Sequence, residues 1–140
     1  QGLRIKPSDN IEMLKALGRD PLVLKETRVD AIWGMVNLMD AGLTAAPALG
    51  TPALILYGKR DEVIPGQPTR RMVESLPTAP PEMRQIAIYD EGYHMLTRDL
   101  QADLVLSDIA FWIESRAAGA PGAPLPSGAD GEGIEVLVGD

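Results

Sequence analysis

The sequence predicts an α/β fold in which parallel strands are flanked by helices, and three observations predict it. Ala53-Leu54-Ile55-Leu56-Tyr57 is a short apolar run without polar alternation, bounded by Pro52 and Gly58. Such a run suits a strand buried on both faces of a helix-covered sheet. A second strand-like stretch, Arg84 to Tyr89 with Ile86 and Ile88, follows a helical segment, so strand, helix and strand fill the length of one βαβ unit. Two further segments carry apolar residues at helical spacing.

Taken in order, Ser8 to Leu17 opens with Asp9 followed three residues later by Glu12, which resembles a capping box. It places Ile11, Met13, Leu14 and Leu17 on a short helix that Gly18 and Pro21 end. From Val29 to Leu43, the residues Val29, Ile32, Trp33, Val36, Met39 and Leu43 form an apolar stripe, with Asp30, Asn37 and Asp40 largely opposite. Gly50, Thr51 and Pro52 then break the chain before the first strand. The segment Thr69 to Leu76 forms a helix with Met72, Val73 and Leu76 on one side, stopped by Pro77, Pro80 and Pro81. After the second strand, a helix over about Leu100 to Arg116 has Val105, Ile109, Trp112 and Ile113 as its stripe and Asp99 as its N-cap. Beyond it, Ala117 to Gly133 is rich in Ala, Gly and Pro with Leu125 as its one large apolar residue. That is too little to offset the entropy of ordering, so residues 117–140 are expected to form a flexible tail. Ile134 to Val138 could pair with a sheet edge or be unrelated to the fold. No internal repeat is present.

Composition narrows the function classes. The 140 residues are 45% hydrophobic with a net charge of −7, enough apolar matter for a core and the wrong sign for nucleic acid or an anionic membrane surface. There is no cysteine and a single histidine, which excludes disulfides and thiolate metal sites and leaves little for zinc. No apolar stretch reaches the length of a membrane span, and the start lacks the features of a signal peptide. A cytoplasmic or membrane-peripheral protein is the expectation. The first residue is Gln1 rather than Met, from which removal of upstream residues is expected.

Two loops carry the chemistry, and each follows a predicted strand: Gly58-Lys59-Arg60-Asp61-Glu62-Val63-Ile64-Pro65 and Asp90-Glu91-Gly92-Tyr93-His94-Met95-Leu96. In open α/β sheets, sites form beyond the carboxyl ends of the strands. An acid on one loop and a histidine on the next can meet there, a carboxylate holding one imidazole N–H while the other nitrogen serves as general base. Other readings stand beside this one. A lone histidine is more often a solvent-facing loop residue, Asp61 could cap its own loop or pair with Arg60, and Glu62 is a rival carboxylate. Asp90 and Glu91 read as turn residues, and Lys59, Arg70 and Arg71 as a solvated face. Tyr57, Trp33, Met35, Met39 and Trp112 sit at spacings that usually mean core.

The stretch Thr51 to Pro65, then Tyr89 to Leu96, then a helix ending Phe111-Trp112-Ile113, resembles the C-terminal end of α/β-hydrolases, most closely the monoacylglycerol lipase and lysophospholipase branch. Asp20-Pro21-Leu22 stands where that branch has an Asp-Pro-Leu segment in its cap, and the resemblance covers about Ser8 to Glu114. It implies that residues 1–44 are the end of a cap and the helix returning from it. Residues 45–116 would be the C-terminal portion of the core, with Asp61 as triad acid and His94 as general base. Leu22, Leu24, Ile32, Trp33 and Met35 would line an acyl-chain pocket, Leu22, Trp33 and Met35 foremost. The order acid then histidine fits the fold. No Gly-x-Ser-x-Gly elbow is present, since Ser8, Ser75, Ser107, Ser115 and Ser127 lack its flanking glycines.

The expectation is therefore a serine hydrolase of lipid-like esters, monoacylglycerols or lysophospholipids, when a missing N-terminal part supplies the nucleophile, with these residues alone inactive. No metal or organic cofactor is required. Another esterase, a peptidase, an acyltransferase, or a non-catalytic binding protein on the same fold are the alternatives. A small independent domain is disfavoured, because two parallel strands without neighbours would expose an edge, and a homo-oligomer or the missing segment is expected to cover it.

Overall fold

The computed structural model describes residues 5–80 and 82–131. Its elements run α1 (Ile11–Arg19), α2 (Val29–Ala45), β1 (Ala53–Gly58), α3 (Gly66–Ser75), β2 (Arg84–Tyr89) and α4 (Ala102–Ala117). The strands are parallel and in full register from Ala53 opposite Arg84 to Gly58 opposite Tyr89. The pattern of the apolar run explains this. Side chains alternate across a strand, so a strand with no polar position needs cover on both sides. Leu54, Leu56, Ala87 and Tyr89 pack with Val105, Ile109 and Trp112 of α4. Ile55 and Ile86 pack with Val73 and Leu76 at the end of α3 and with Ala46 after α2.

Several element ends differ from the sequence expectation for local reasons. The cap of α1 is Asn10, whose Oδ1 accepts the Met13 N–H at 3.1 Å. Asp9, expected there, accepts the Leu100 N–H at 2.8 Å instead. A tertiary donor has taken the carboxylate, and the next short polar residue caps the helix. Helix α3 begins at Gly66 rather than Thr69, because Pro68 falls in the first turn, where its missing N–H has no intrahelical partner to lose. The N-cap of α4 is Gln101, and the side chain of Asp99 is used elsewhere, as described below.

The segment after α4 departs furthest from expectation. Rather than lacking a place in the core, residues up to Gly131 fold back along the outer edge of β2. Ile88 N–H donates to the Ala129 carbonyl at 2.8 Å and Gly131 N–H to the Ile86 carbonyl at 2.9 Å, so that Asp130 bridges antiparallel to Ala87. Leu125 is 4% exposed, and its burial contributes on the order of 2 kcal/mol. Polar groups supply the remaining hold. Asp130 accepts from the Gln85 amide at 3.0 Å and the Leu125 N–H at 2.6 Å. Asp108 of α4, 0% exposed, accepts from the Tyr89 hydroxyl at 2.8 Å, from the Ser127 N–H at 3.0 Å and from the Ser127 hydroxyl. Burial and the Asp108 carboxylate push the Tyr89 phenol well above its ordinary range, keeping it a donor. The segment Ile134 to Val138 lies outside the described residues.

Asp108→Ala strands the buried Tyr89 hydroxyl and two half-buried donors of Ser127 at once, and such stranded partners of a carboxylate cost about 3 kcal/mol. The expected outcome is a lower urea midpoint and faster proteolysis between Ala118 and Gly131. Asp108→Asn, which keeps an acceptor oxygen, should fall between the two. A midpoint for Asp108→Ala equal to wild type would show that the carboxylate does not hold the segment.

Helices α1 and α2 bury no side chain among the described residues. On α2, Trp33, Met35, Val36, Leu38 and Met39 are all exposed, so its apolar character runs round the helix rather than along one stripe. A helix apolar all round is one made to be enclosed. No helix is long and apolar enough to cross a membrane among the described residues.

Candidate active site

Two glycines bring the two loops together. Gly58 ends β1 and Gly92 sits in the turn after β2, and their backbones touch. A Cβ on Gly58 would stand 2.4 Å from the carbonyl carbon and oxygen of Gly92. A Cβ on Gly92 would stand 2.5 Å from Leu96 Cδ2 and 3.0 Å from Gly58 Cα. Across this contact Lys59 N–H donates to the Tyr89 carbonyl at 3.0 Å and Arg60 N–H to the Gly92 carbonyl at 2.9 Å. The ladder of β1 and β2 thus continues one step past the strands. Ion pairs reinforce the same junction, Lys59 with Asp90 at 2.6 Å and Arg60 with Glu91 at 2.6 Å.

Beyond the junction, Asp61 and His94 meet. Asp61 Oδ2 lies 3.0 Å from His94 Nδ1, and Asp61 Oδ1 accepts the Val63 and Ile64 N–H groups at 2.8 and 2.9 Å. An ionised carboxylate only accepts, so Nδ1 carries the proton and Nε2 is left as the basic nitrogen. The Asp61 side chain is 8% exposed and that of His94 40%, a held acid beneath an accessible base. Tyr57 braces the acid loop from below, its hydroxyl donating to the Ile64 carbonyl at 3.0 Å. Burial, and secondarily the charge of Asp61, push that phenol up and keep the donor protonated. The rival carboxylate Glu62 points elsewhere, accepting the Lys6 N–H at 2.7 Å.

Among the described residues, Asp61 is the one hydrogen-bond partner of the His94 ring. The serine hydroxyls with recorded bonds face other acceptors: Ser8 to Asp99, Ser75 to Met72, Ser115 to Trp112 and Ser127 to Asp108. No group of three His, Cys, Asp or Glu side chains is placed to hold a metal among the described residues.

Beside the acid loop lies an apolar cleft of about 640 Å³, walled by Met39 and Leu43 of α2, Leu49, Ile64, and Met72 and Leu76. Ile64 links it to the site, because its N–H is one of the two that fix Asp61. Of the residues expected to line a substrate pocket, Leu22, Trp33 and Met35 are exposed and line no part of this cleft. The walls come instead from the last turns of α2, which runs to Ala45, and from α3 across the cleft.

Tyr93, Asp99 and Ser8, given no role at the site by the sequence, form a linked group beside the His94 loop, the Ser8 hydroxyl donating to Asp99 and Asp99 accepting the Tyr93 N–H. Tyr93 Oη is 3.1 Å from Lys6 Nζ and 3.5 Å from an Arg60 nitrogen, and the Arg60 and then the Lys6 interactions hold its phenol below the usual range. The legible signal was Ser8-Asp9-Asn10, three short hydrogen-bonding side chains in a row, more than one helix cap requires.

The model of a family described as serine aminopeptidase S33 matches residues 2–101. The monoacylglycerol lipase of Mycolicibacterium smegmatis (strain ATCC 700084 / mc(2)155) is 26% identical over 120 residues, covering 78% of this chain. The same alignment covers 41% of that relative, so the chain spans about two-fifths of its length.

Proposed function

As the chain belongs to the serine aminopeptidase S33 family of α/β-hydrolases, we propose that it supplies the acid and the base of a serine hydrolase acting on lipid-like carboxylic esters. The nucleophile then comes from polypeptide outside these 140 residues. The observation that carries the reading is the 3.0 Å contact of Asp61 with His94 Nδ1. A carboxylate locked by two backbone N–H groups holds the imidazole in the one tautomer that can take a proton at Nε2.

In the proposed reaction Nε2 removes the serine hydroxyl proton as the oxygen attacks the ester carbonyl. The tetrahedral adduct collapses with the alcohol as leaving group, which receives that proton from His94. Water then attacks the acyl-enzyme with Nε2 again as base, releasing the carboxylic acid and restoring the serine. Asp61 stays ionised and stabilises the imidazolium in both halves. The apolar cleft supports an acyl chain as the bound group, because its walls are Met, Leu and Ile side chains, and the relative named above carries a lipase name. Asp40, which also borders the cleft, favours a second reading in which a substrate ammonium sits there and an amide is cleaved, as the family description suggests.

The test uses the complete polypeptide that contains this chain. A fluorophosphonate probe should label a serine outside the 140 residues, His94→Ala should abolish the labelling, and the 140 residues alone should not label. Turnover of a monoacylglycerol over an aminoacyl anilide selects the ester reading. A protein that never labels is a binding protein on this fold, and labelling that survives His94→Ala removes His94 as the base.

A further inference from the structure

The most heavily buried polar pair outside the proposed triad lies directly behind His94. Ser8 is fully buried and Asp99 nearly so. The Ser8 hydroxyl donates to Asp99 Oδ1 at 2.6 Å, and Asp99 Oδ2 accepts the N–H of Tyr93 at 2.8 Å, one residue before His94. On the far side of His94, the Met95 N–H donates to the Pro7 carbonyl at 3.0 Å. Both neighbours of the histidine are therefore tied to the segment Pro7-Ser8. Further ties join the same two stretches, Asp9 to the Leu100 N–H at 2.8 Å and the Asn10 amide to the Arg98 carbonyl at 3.0 Å. Asn10 meanwhile caps α1.

Burying a carboxylate is costly even when it is well bonded, and an apolar pair of similar size would fill the space at less cost. What the polar pair provides is direction: Asp99 is a rigid two-armed acceptor that aligns the Tyr93 peptide with the Ser8 hydroxyl. Helix α1 buries no side chain among the described residues, so these hydrogen bonds supply much of its attachment. We propose that Asp99 and Ser8 are positioning residues for His94. They form a clasp that locks the loop 93–95 against the entry to α1, so that the base is aligned toward Asp61 only while that segment is docked. The proposal rests on the triad reading above.

In the complete polypeptide, the imidazole nitrogen-15 resonances lost in His94→Ala belong to His94, and their separation reads the tautomer. At about pH 9, where an ordinary imidazole is neutral, wild type should show a single form protonated at Nδ1. Asp61→Asn should convert it to the opposite tautomer. Asp99→Ala should give a mixture of both, with Ser8→Ala moving in the same direction. Asp99→Asn should restore the single form, since its oxygen can accept from Tyr93 while its NH2 donates to Ser8. Tryptophan fluorescence checks that each variant is folded. If Asp99→Ala does not fold, Ser8→Ala decides. Folded Asp99→Ala and Ser8→Ala chains with the wild-type pattern, alongside a response to Asp61→Asn, remove the clasp and leave the triad. A wild-type mixture that ignores Asp61→Asn removes the triad reading and the clasp with it.

Discussion

If the proposed reading holds, Asp61→Asn is expected to lower kcat of the complete polypeptide by about 10⁴ with little change in KM, the scale of loss seen when a triad acid becomes an amide. The geometry explains why so small a change acts so strongly. The oxygen that accepts from Val63 and Ile64 N–H must remain an oxygen, so the new NH2 faces His94 Nδ1. A donor there requires Nδ1 to accept, which moves the ring proton to Nε2, where the serine proton would have to go. The imidazole keeps its place and loses its function. Steady-state kinetics on the complete polypeptide checks this, and a loss below tenfold would show that Asp61 does not set the tautomer.

Gly58→Ala should be strongly destabilising, because of the glycines compared it has the closest backbone contact to an added carbon. The added carbon meets the Gly92 carbonyl at 2.4 Å and the Tyr93 carbonyl oxygen at 2.8 Å. These are backbone atoms that no rotamer change can move. Overpacking of this kind costs about 3 kcal/mol. The backbone relieves it by separating the two loops, so the Asp61 contact with His94 should be lost together with stability. Gly34→Ala is the control. Nothing lies within 4 Å of a Cβ there, and alanine within a helix gains about 0.5–1 kcal/mol over glycine. Urea unfolding of the two variants should therefore move in opposite directions. Equal midpoints would show that the loops can accommodate the methyl.

Much of this was legible in the residues. The run Ala53 to Tyr57 could be placed as a doubly covered strand because every one of its positions is apolar, and the loops carrying Asp61 and His94 could be recognised because each follows such a strand. The choice of Asp61 over the adjacent carboxylate Glu62 came from the resemblance rather than from spacing, and in the structure Asp61 faces His94 while held by Val63 and Ile64, whereas Glu62 takes the Lys6 N–H.

The stretch after α4 was illegible for a different reason. Counting large apolar residues finds one, Leu125, while the structure anchors the segment through Asp108 and Asp130, whose partners lie 19 and 45 residues away. Polar clamps at long range leave no periodicity. The same blindness hid Asp99, which reads from the sequence as the cap of α4 but spends its side chain on Ser8, 91 residues earlier. Trp33 and Met35 were chosen by residue type on a helix whose direction was unknown, and Leu22 in the turn before it; the cleft is lined from Met39 onward, four residues beyond Met35.

The strip from Ala129 to Gly131 also determines which edge of the sheet stays open to a further strand. It occupies backbone groups of Ile86 and Ile88, so the middle of β2 presents no free ladder to a neighbour, whereas β1 has no second strand beside it among the described residues. A further strand that extends the ladder at mid-sheet therefore meets β1, whose outer backbone groups have no strand partner among the described residues.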